Sequence, residues 1–168
     1  MADLTERAVT ARVPSIIEEK LGVLGRREPV TVPPGTSLAE CLRAIQRTGT
    51  GDSVFVTAPD DRLLGVLTER DVFGRLVGED VGVDLQQPVD ALMTTEPRTL
   101  RLHQSVGDAM ALMRTGRFRN VPLVDDEGRL VGVVRQVDIL KFLAESFPEE
   151  LLNLPPRPHQ RMEQPEGG

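Results

Sequence analysis

Two stretches of the sequence place an aspartate where it could bind a ligand, Gly65–Asp71 and Gly132–Asp138. In each, an apolar strand that contains glycine leads through a short polar turn to the aspartate and then into an apolar helix. A carboxylate at the start of a helix is stabilised by the helix dipole, and it can accept two hydrogen bonds from a vicinal diol. The free N–H groups of the same helix end can bind phosphate. Both stretches are therefore candidate sites for a ligand with hydroxyl and phosphate groups.

The first copy has a second interpretation, because a threonine three residues before an aspartate is also a helix-capping pattern. Residue types alone leave capping and ligand binding equally open for Thr68 and Asp71. In the second copy Arg135 replaces the threonine, yet Asp138 is retained. Arginine cannot cap a helix as threonine does, but it can make bidentate contacts with phosphate. The second copy therefore shifts the balance towards ligand binding.

The elements that must position these aspartates occur twice in the chain. Hydrophobic periodicity and turn residues predict the order β-α-β-β-α over residues 28–77, and the same order restarts at Glu96. In both copies the first helix begins with a capping box, Ser37–Glu40 and Ser105–Asp108. The second box follows the first by 68 residues, which indicates an internal repeat. Two units of this size are expected to pack face to face, since neither buries its sheet well alone.

The repeat divides the chain into five segments. The first segment carries an apolar stripe and is predicted to be helical, with the helix starting near Pro14. The last segment is rich in proline and is predicted to be a flexible tail. The division is 1–24 for the helical segment, 25–78 for the first repeat, 79–88 for a linker, 89–147 for the second repeat and 148–168 for the tail.

Composition excludes several classes of function. The net charge of −6 and the absence of Trp and Tyr disfavour binding to nucleic acid or to an anionic membrane. The single cysteine, Cys41, excludes an intramolecular disulfide and fits the reducing cytoplasm. The sequence has no metal-ligand spacing and no nucleophile–base pair, so we expect no metal site, no catalytic cofactor and no enzymatic activity.

The combination of motifs resembles a tandem pair of CBS (cystathionine-β-synthase-type) domains, the Bateman module. The resemblance rests on the β-α-β-β-α repeat and on three stretches, Gly65–Asp71, Met93–Pro97 and Arg119–Asp125. It implies an α+β fold in which two CBS repeats pack pseudo-symmetrically, with their sheets facing each other and two clefts between them.

The resemblance also implies roles for particular residues. In the family the motif aspartate binds the ribose diol, which corresponds to Asp71 and Asp138. The remaining predicted ligand-binding residues are Thr68 at ribose or phosphate, Arg119, Asn120 and Arg135 at phosphate, and Thr36 near the base. Base contacts are also expected near Cys41 in one cleft and near Gln104 and Ala109 in the other.

The two clefts are predicted to differ in charge. Residues 28–76 contain five Arg and seven acids, whereas residues 96–143 contain eight basic residues and six acids. Asp52 occupies the position that Arg119 fills in the second repeat. We therefore expect the Asp138 cleft to hold the more phosphorylated ligand.

The function that the resemblance implies is sensing of an adenosine nucleotide such as AMP, ADP or ATP, with NAD and S-adenosylmethionine as further candidates. Binding would change the conformation or the oligomeric state, and the family implies a homodimer and a regulated protein that is still unidentified. The alternative is a scaffold or dimerisation module with degenerate, non-binding clefts, which Arg135 and Asp52 favour.

Overall fold

The computed structural model describes residues 15–25, 27–48, 53–76 and 84–146. The helix start predicted near Pro14, the tail 148–168 and Asp52 lie outside the described residues.

The described chain contains six strands, four α-helices and two short 3-10 helices. The first repeat comprises β1 (Thr31–Val32), α1 (Leu38–Thr48), β2 (Ser53–Thr57), β3 (Leu63–Thr68) and α2 (Glu69–Leu76). The second comprises β4 (Thr94–Thr95), α3 (Val106–Gly116), β5 (Asn120–Val124), β6 (Leu130–Arg135) and α4 (Gln136–Ser146). The 3-10 helices are Leu21–Leu24 and Val89–Ala91. The predicted α+β class is confirmed.

The two sheets have the same plan. The first has the order β1-β2-β3-β4, in which β1 and β2 are parallel and the other pairs are antiparallel. The second is built on the β5-β6 hairpin. Single bridges extend it on both sides, with Leu100 parallel to Leu123 and Arg27 antiparallel to Val133. The segment that precedes each repeat therefore pairs with the sheet of the other repeat.

The cores are shared in the same crossed manner. Val89, at the start of the second repeat, packs in the first core with Leu38 and Cys41. Leu21, which precedes the first repeat, packs in the second core with Val106. This exchange ties the two repeats together because neither core is complete without a residue from the other side.

The N-terminal segment differs from the single helix that the sequence predicts. In its described part the chain is helical at Ser15–Ile17 and then leaves the helix, before the 3-10 helix Leu21–Leu24. The cause is tertiary pairing. Leu21 N donates to Gln104 O at 2.9 Å, and Val106 N donates to Glu19 O at 2.8 Å. These bonds satisfy backbone groups that a continuous helix would pair internally.

Hydrogen bonds between equivalent residues join the repeats across a pseudo-twofold axis. Leu63 N donates to Gly128 O at 3.1 Å, and Leu130 N donates to Asp61 O at 2.9 Å. These bonds are reciprocal, since Leu130 and Gly128 each lie 67 positions after their counterparts Leu63 and Asp61. The chain therefore has the internal symmetry that its repeat implies.

Both predicted capping boxes are confirmed. At the start of α1, Glu40 N donates to Ser37 Oγ at 3.3 Å, while Ser37 N donates to Glu40 Oε2 at 3.2 Å. At the start of α3, Asp108 N donates to Ser105 Oγ at 3.1 Å, and Ser105 N donates to Asp108 Oδ2 at 2.9 Å. The Asp108 carboxylate accepts from the Ser105 backbone first and from the Ser105 side chain second, and these bonds hold its pKa below the ordinary value.

Candidate functional site

In the first repeat the motif aspartate caps its own helix. Strand β3 ends at Thr68 and α2 begins at the next residue, so no loop separates the strand from the helix. Thr68 N and Thr68 Oγ1 both donate to Asp71 Oδ2 at 2.7 Å, and Asp71 N returns a bond to Thr68 Oγ1 at 3.4 Å. Among the described residues, nothing donates a hydrogen bond to Asp71 Oδ1. One oxygen of this carboxylate thus holds the helix start, and the other can accept bonds from a ligand.

In the second repeat the motif aspartate is held by two arginines. Arg27 Nε donates to Asp138 Oδ1 at 2.8 Å, and Arg135 Nε lies 3.4 Å from Asp138 Oδ2. The Asp138 side chain is only 8% exposed, whereas Arg135 is 16% exposed and Arg27 is 47% exposed. A carboxylate this buried needs such partners, because an unpaired buried charge is costly. The same motif position therefore has different chemistry in the two repeats.

The sequence predicted Arg135 at this site but missed Arg27. Arg27 lies 111 positions before Asp138 and outside either motif. It reaches the second repeat because its backbone bridges to Val133, as β4 bridges to the equivalent Val66 in the first sheet. The residue that pairs with Val66 is Thr94, which carries no charge. A long-range strand pairing of this kind leaves no local pattern in the sequence.

Arg119 directly precedes β5 and lies beside the start of α4. Its carbonyl oxygen accepts a hydrogen bond from Gln136 N at 2.8 Å, which fixes its backbone beside the first turn of that helix. Its side chain is exposed and forms no ion pair within the described ranges. An exposed arginine at this position can bind a phosphate.

Asn120 lies on the axis between the repeats. Asn120 Nδ2 donates to Ser53 Oγ at 3.0 Å, and the two residues occupy equivalent positions in β5 and β2. The structure therefore gives Asn120 a contact between repeats, whereas its predicted contact with phosphate stays a prediction.

The residues predicted near the base lie at the starts of α1 and α3. Thr36 Oγ1 donates to Pro33 O at 2.7 Å, and Thr36 O accepts from Val89 N at 2.8 Å. Cys41 and Ala109 are fully buried in the two cores, so their side chains face packing neighbours rather than solvent. Burial, with a smaller contribution from Glu40, raises the pKa of the Cys41 thiol to about 11.

Among the described residues, no three His, Cys, Asp or Glu side chains come together as metal ligands. None of the helices in the described ranges has the length and apolarity needed to cross a membrane.

The chain has two β-α-β-β-α halves, and a segment of each half pairs with the sheet of the other. Each half has an aspartate where a strand leads into a helix, and this arrangement defines a CBS-domain pair. The chain belongs to this family, whose description is "CBS domain" and whose model matches residues 21–78 and 89–145. The resemblance seen in the sequence is thereby confirmed.

Relatives and solved structures support the same assignment. The uncharacterized protein MK0525 of Methanopyrus kandleri is 30% identical over 134 residues, which span 78% of this chain and 67% of the relative. The CBS-domain-containing protein ATU1752 of Agrobacterium tumefaciens is 34% identical with a TM-score of 0.62, covering 72% of this chain and 93% of that one. The cytosolic domain of the Mg²⁺ channel MgtE, solved in complex with ATP, is 30% identical with a TM-score of 0.63, covering 74% of this chain and 48% of that one.

Proposed function

We propose that the protein is a regulatory module that binds an adenosine nucleotide in the clefts between its CBS repeats. The observation that carries the proposal is the buried Asp138 at the start of α4, surrounded by arginines. A carboxylate can bind the ribose diol, while guanidinium groups and the helix end can bind phosphate. The ATP complex of the similar MgtE domain supports this class of ligand. The proposed role is binding rather than catalysis, and the proposed location is the cytoplasm.

The second cleft is proposed to hold the more phosphorylated ligand. Arg27 and Arg135 pair with Asp138, and the backbone of the exposed Arg119 lies beside the same helix end. In the first repeat the equivalent neighbours of Asp71 are uncharged where the structure describes them, since threonines stand at 68 and 94. ATP or ADP is therefore expected at Asp138 and AMP at Asp71. NAD and S-adenosylmethionine remain further candidates.

Signalling is proposed to act through the contact between the repeats. This contact includes hydrogen bonds on the pseudo-twofold axis, such as Asn120 to Ser53, and a ligand that contacts both repeats can change their geometry. A coupling of about 1–3 kcal/mol is typical of such linkage. The proposal includes a regulated partner protein, whose identity the sequence does not indicate.

Self-association through helices α2 and α4 is also part of the proposal. Phe73 on α2 and Leu140 on α4 occupy equivalent positions and are 58% and 59% exposed. Two large apolar side chains related by the internal axis give the molecule a surface that a second copy can match with its own.

One specific observation favours the alternative, a scaffold with non-binding clefts. Thr68 and Asp71 form a complete helix cap, and both oxygens of Asp138 are already bonded within the chain. These contacts could be purely structural. The two functions differ in whether a nucleotide stabilises the fold.

A thermal-shift screen against AMP, ADP, ATP, NAD and S-adenosylmethionine separates the two functions. A ligand at 100 times its dissociation constant stabilises the folded state by about 2.7 kcal/mol, which raises the midpoint by several degrees. We expect such a shift with at least one adenosine nucleotide and a smaller shift in the Asp71→Ala/Asp138→Ala double variant. If none of the five compounds shifts the midpoint, the scaffold function is correct.

A further inference from the structure

Arg27 reaches the second cleft from outside that repeat. Its backbone oxygen accepts a hydrogen bond from Val133 N at 3.3 Å, and its Nε donates to Asp138 Oδ1 at 2.8 Å. The side chain therefore arrives from the segment between the 3-10 helix Leu21–Leu24 and β1. The contact links the segment before β1 directly to the predicted ribose-binding carboxylate.

Of the two arginines on Asp138, Arg27 is the one that faces solvent. It is 47% exposed, whereas Arg135, the last residue of β6, is 16% exposed. A ribose that approaches Asp138 from solvent meets the Arg27 guanidinium, which already donates to Oδ1. Diol and guanidinium both supply donors to the same acceptor, so they compete for it.

We propose that Arg27 is a specificity-determining latch on the Asp138 cleft, which disfavours nucleosides and favours nucleotides. This inference rests on the proposed function. A neutral nucleoside must displace Arg27 from Asp138 without giving the guanidinium a new partner. A nucleotide displaces it equally, but its phosphates then bind the released arginine in a charge-assisted contact. Only the nucleotide therefore gives Arg27 a new ionic partner in place of Asp138.

The latch belongs to the second cleft alone. The register-equivalent position in the first sheet is Thr94, which pairs with Val66 as Arg27 pairs with Val133. Thr94 is uncharged and makes no hydrogen bond to Asp71. The first cleft therefore lacks this discrimination, and Arg27 adds to the difference between the clefts.

The test is isothermal titration of adenosine and of ATP into the full chain and into Arg27→Gln. The variant is expected to bind adenosine more tightly and ATP more weakly. The ratio of ATP affinity to adenosine affinity should therefore fall at least about tenfold, the range of one charged hydrogen bond. Arg27→Lys, which keeps the charge, is expected to lie between the two and serves if Arg27→Gln folds poorly. Arg114→Gln, an exposed arginine on α3, makes the same charge change and should leave the ratio unaltered.

The outcomes separate the latch from the function on which it rests. If the unaltered chain binds ATP but both Arg27 variants change adenosine and ATP affinity by the same factor, or leave both unchanged, the latch is wrong and the nucleotide function stands. A ratio that falls equally in Arg114→Gln also overturns the latch, because net charge alone then explains it. If the unaltered chain binds neither compound, the proposed function fails and the latch fails with it.

Discussion

The two motif aspartates share a residue type and a position in the repeat, but their neighbours differ. Both stand at the start of a helix, as their position after a strand and turn predicts. Their environments differ, since Asp71 is bonded to a threonine three residues before it and Asp138 to two arginines. The neighbours within the motif could be predicted from the sequence. Arg27 could not, because only the folded chain brings it to Asp138.

The chemistry of Cys41 follows from its place in the first core. Burial raises its pKa above the ordinary value to about 11, so the thiol stays protonated in the folded protein. We expect iodoacetamide to alkylate the native chain much more slowly than the urea-unfolded chain at pH 8, since the thiolate is the reactive form. Mass spectrometry measures this directly, as Cys41 is the single cysteine of the sequence. Equal rates would show that the thiol is accessible.

The same pKa shift has a consequence for stability. The folded-state pKa lies above the unfolded one, so this contribution to stability is complete below about pH 9 and is lost as the pH rises towards 11. The free energy of unfolding should therefore fall over this range. The fall should be smaller in Cys41→Ala, which has no group to ionise at this position.

At the level of elements, the glycine in each motif strand tests how closely the exchanged segments pack. A Cβ at Gly65 would lie 2.5 Å from Met93 Sδ and 3.0 Å from Thr94 O. At Gly132 the nearest atoms, Arg27 O and Leu123 Cδ1, are both 3.7 Å away. The β4 segment thus lies closer to its strand than the Arg27 segment does.

This difference predicts opposite outcomes for one substitution. Gly65→Ala should lower the free energy of unfolding by about 1–3 kcal/mol, since the backbone oxygen of Thr94 must move. Gly132→Ala should leave it unchanged or raise it by up to about 1 kcal/mol, because alanine has less freedom to lose on folding. Urea unfolding monitored by circular dichroism measures both. Equal losses in the two variants would contradict the described packing.

Most elements could be predicted from local signals, and the exceptions share one physical cause. The capping boxes at Ser37 and Ser105 and the strand-to-helix junctions follow from short-range patterns, and they are present in the structure. The N-terminal segment, predicted as one helix, breaks after Ile17 to pair with the loop before α3. Hydrophobic periodicity cannot reveal such pairing, because it depends on residues more than 80 positions away.

At the scale of the whole molecule, the repeat predicted two equivalent halves but not the exchange between them. The 3-10 residues Leu21 and Val89 each complete the core of the opposite repeat. A repeat in the sequence shows that two units are alike. It does not show which sheet each connecting segment pairs with, because packing in the folded chain determines that.

Self-association is expected to depend on the exposed apolar residues of α2 and α4. Light scattering after size-exclusion chromatography should give twice the chain mass for the unaltered protein and the single-chain mass for Phe73→Ser/Leu140→Ser. Val23→Ser removes an exposed apolar side chain elsewhere and should remain dimeric. A single-chain mass for the unaltered protein, or a dimer that persists in the double variant, would refute this interface.

Calorimetric titration of AMP and ATP into Asp71→Ala and Asp138→Ala measures whether the two clefts bind adenosine nucleotides unequally, as we propose. Asp138→Ala should remove most ATP binding and spare AMP, because the arginines lie around Asp138. Asp71→Ala should chiefly weaken AMP binding, since its cleft has no described arginine at the carboxylate. Equal losses of both nucleotides in the two variants would contradict the account.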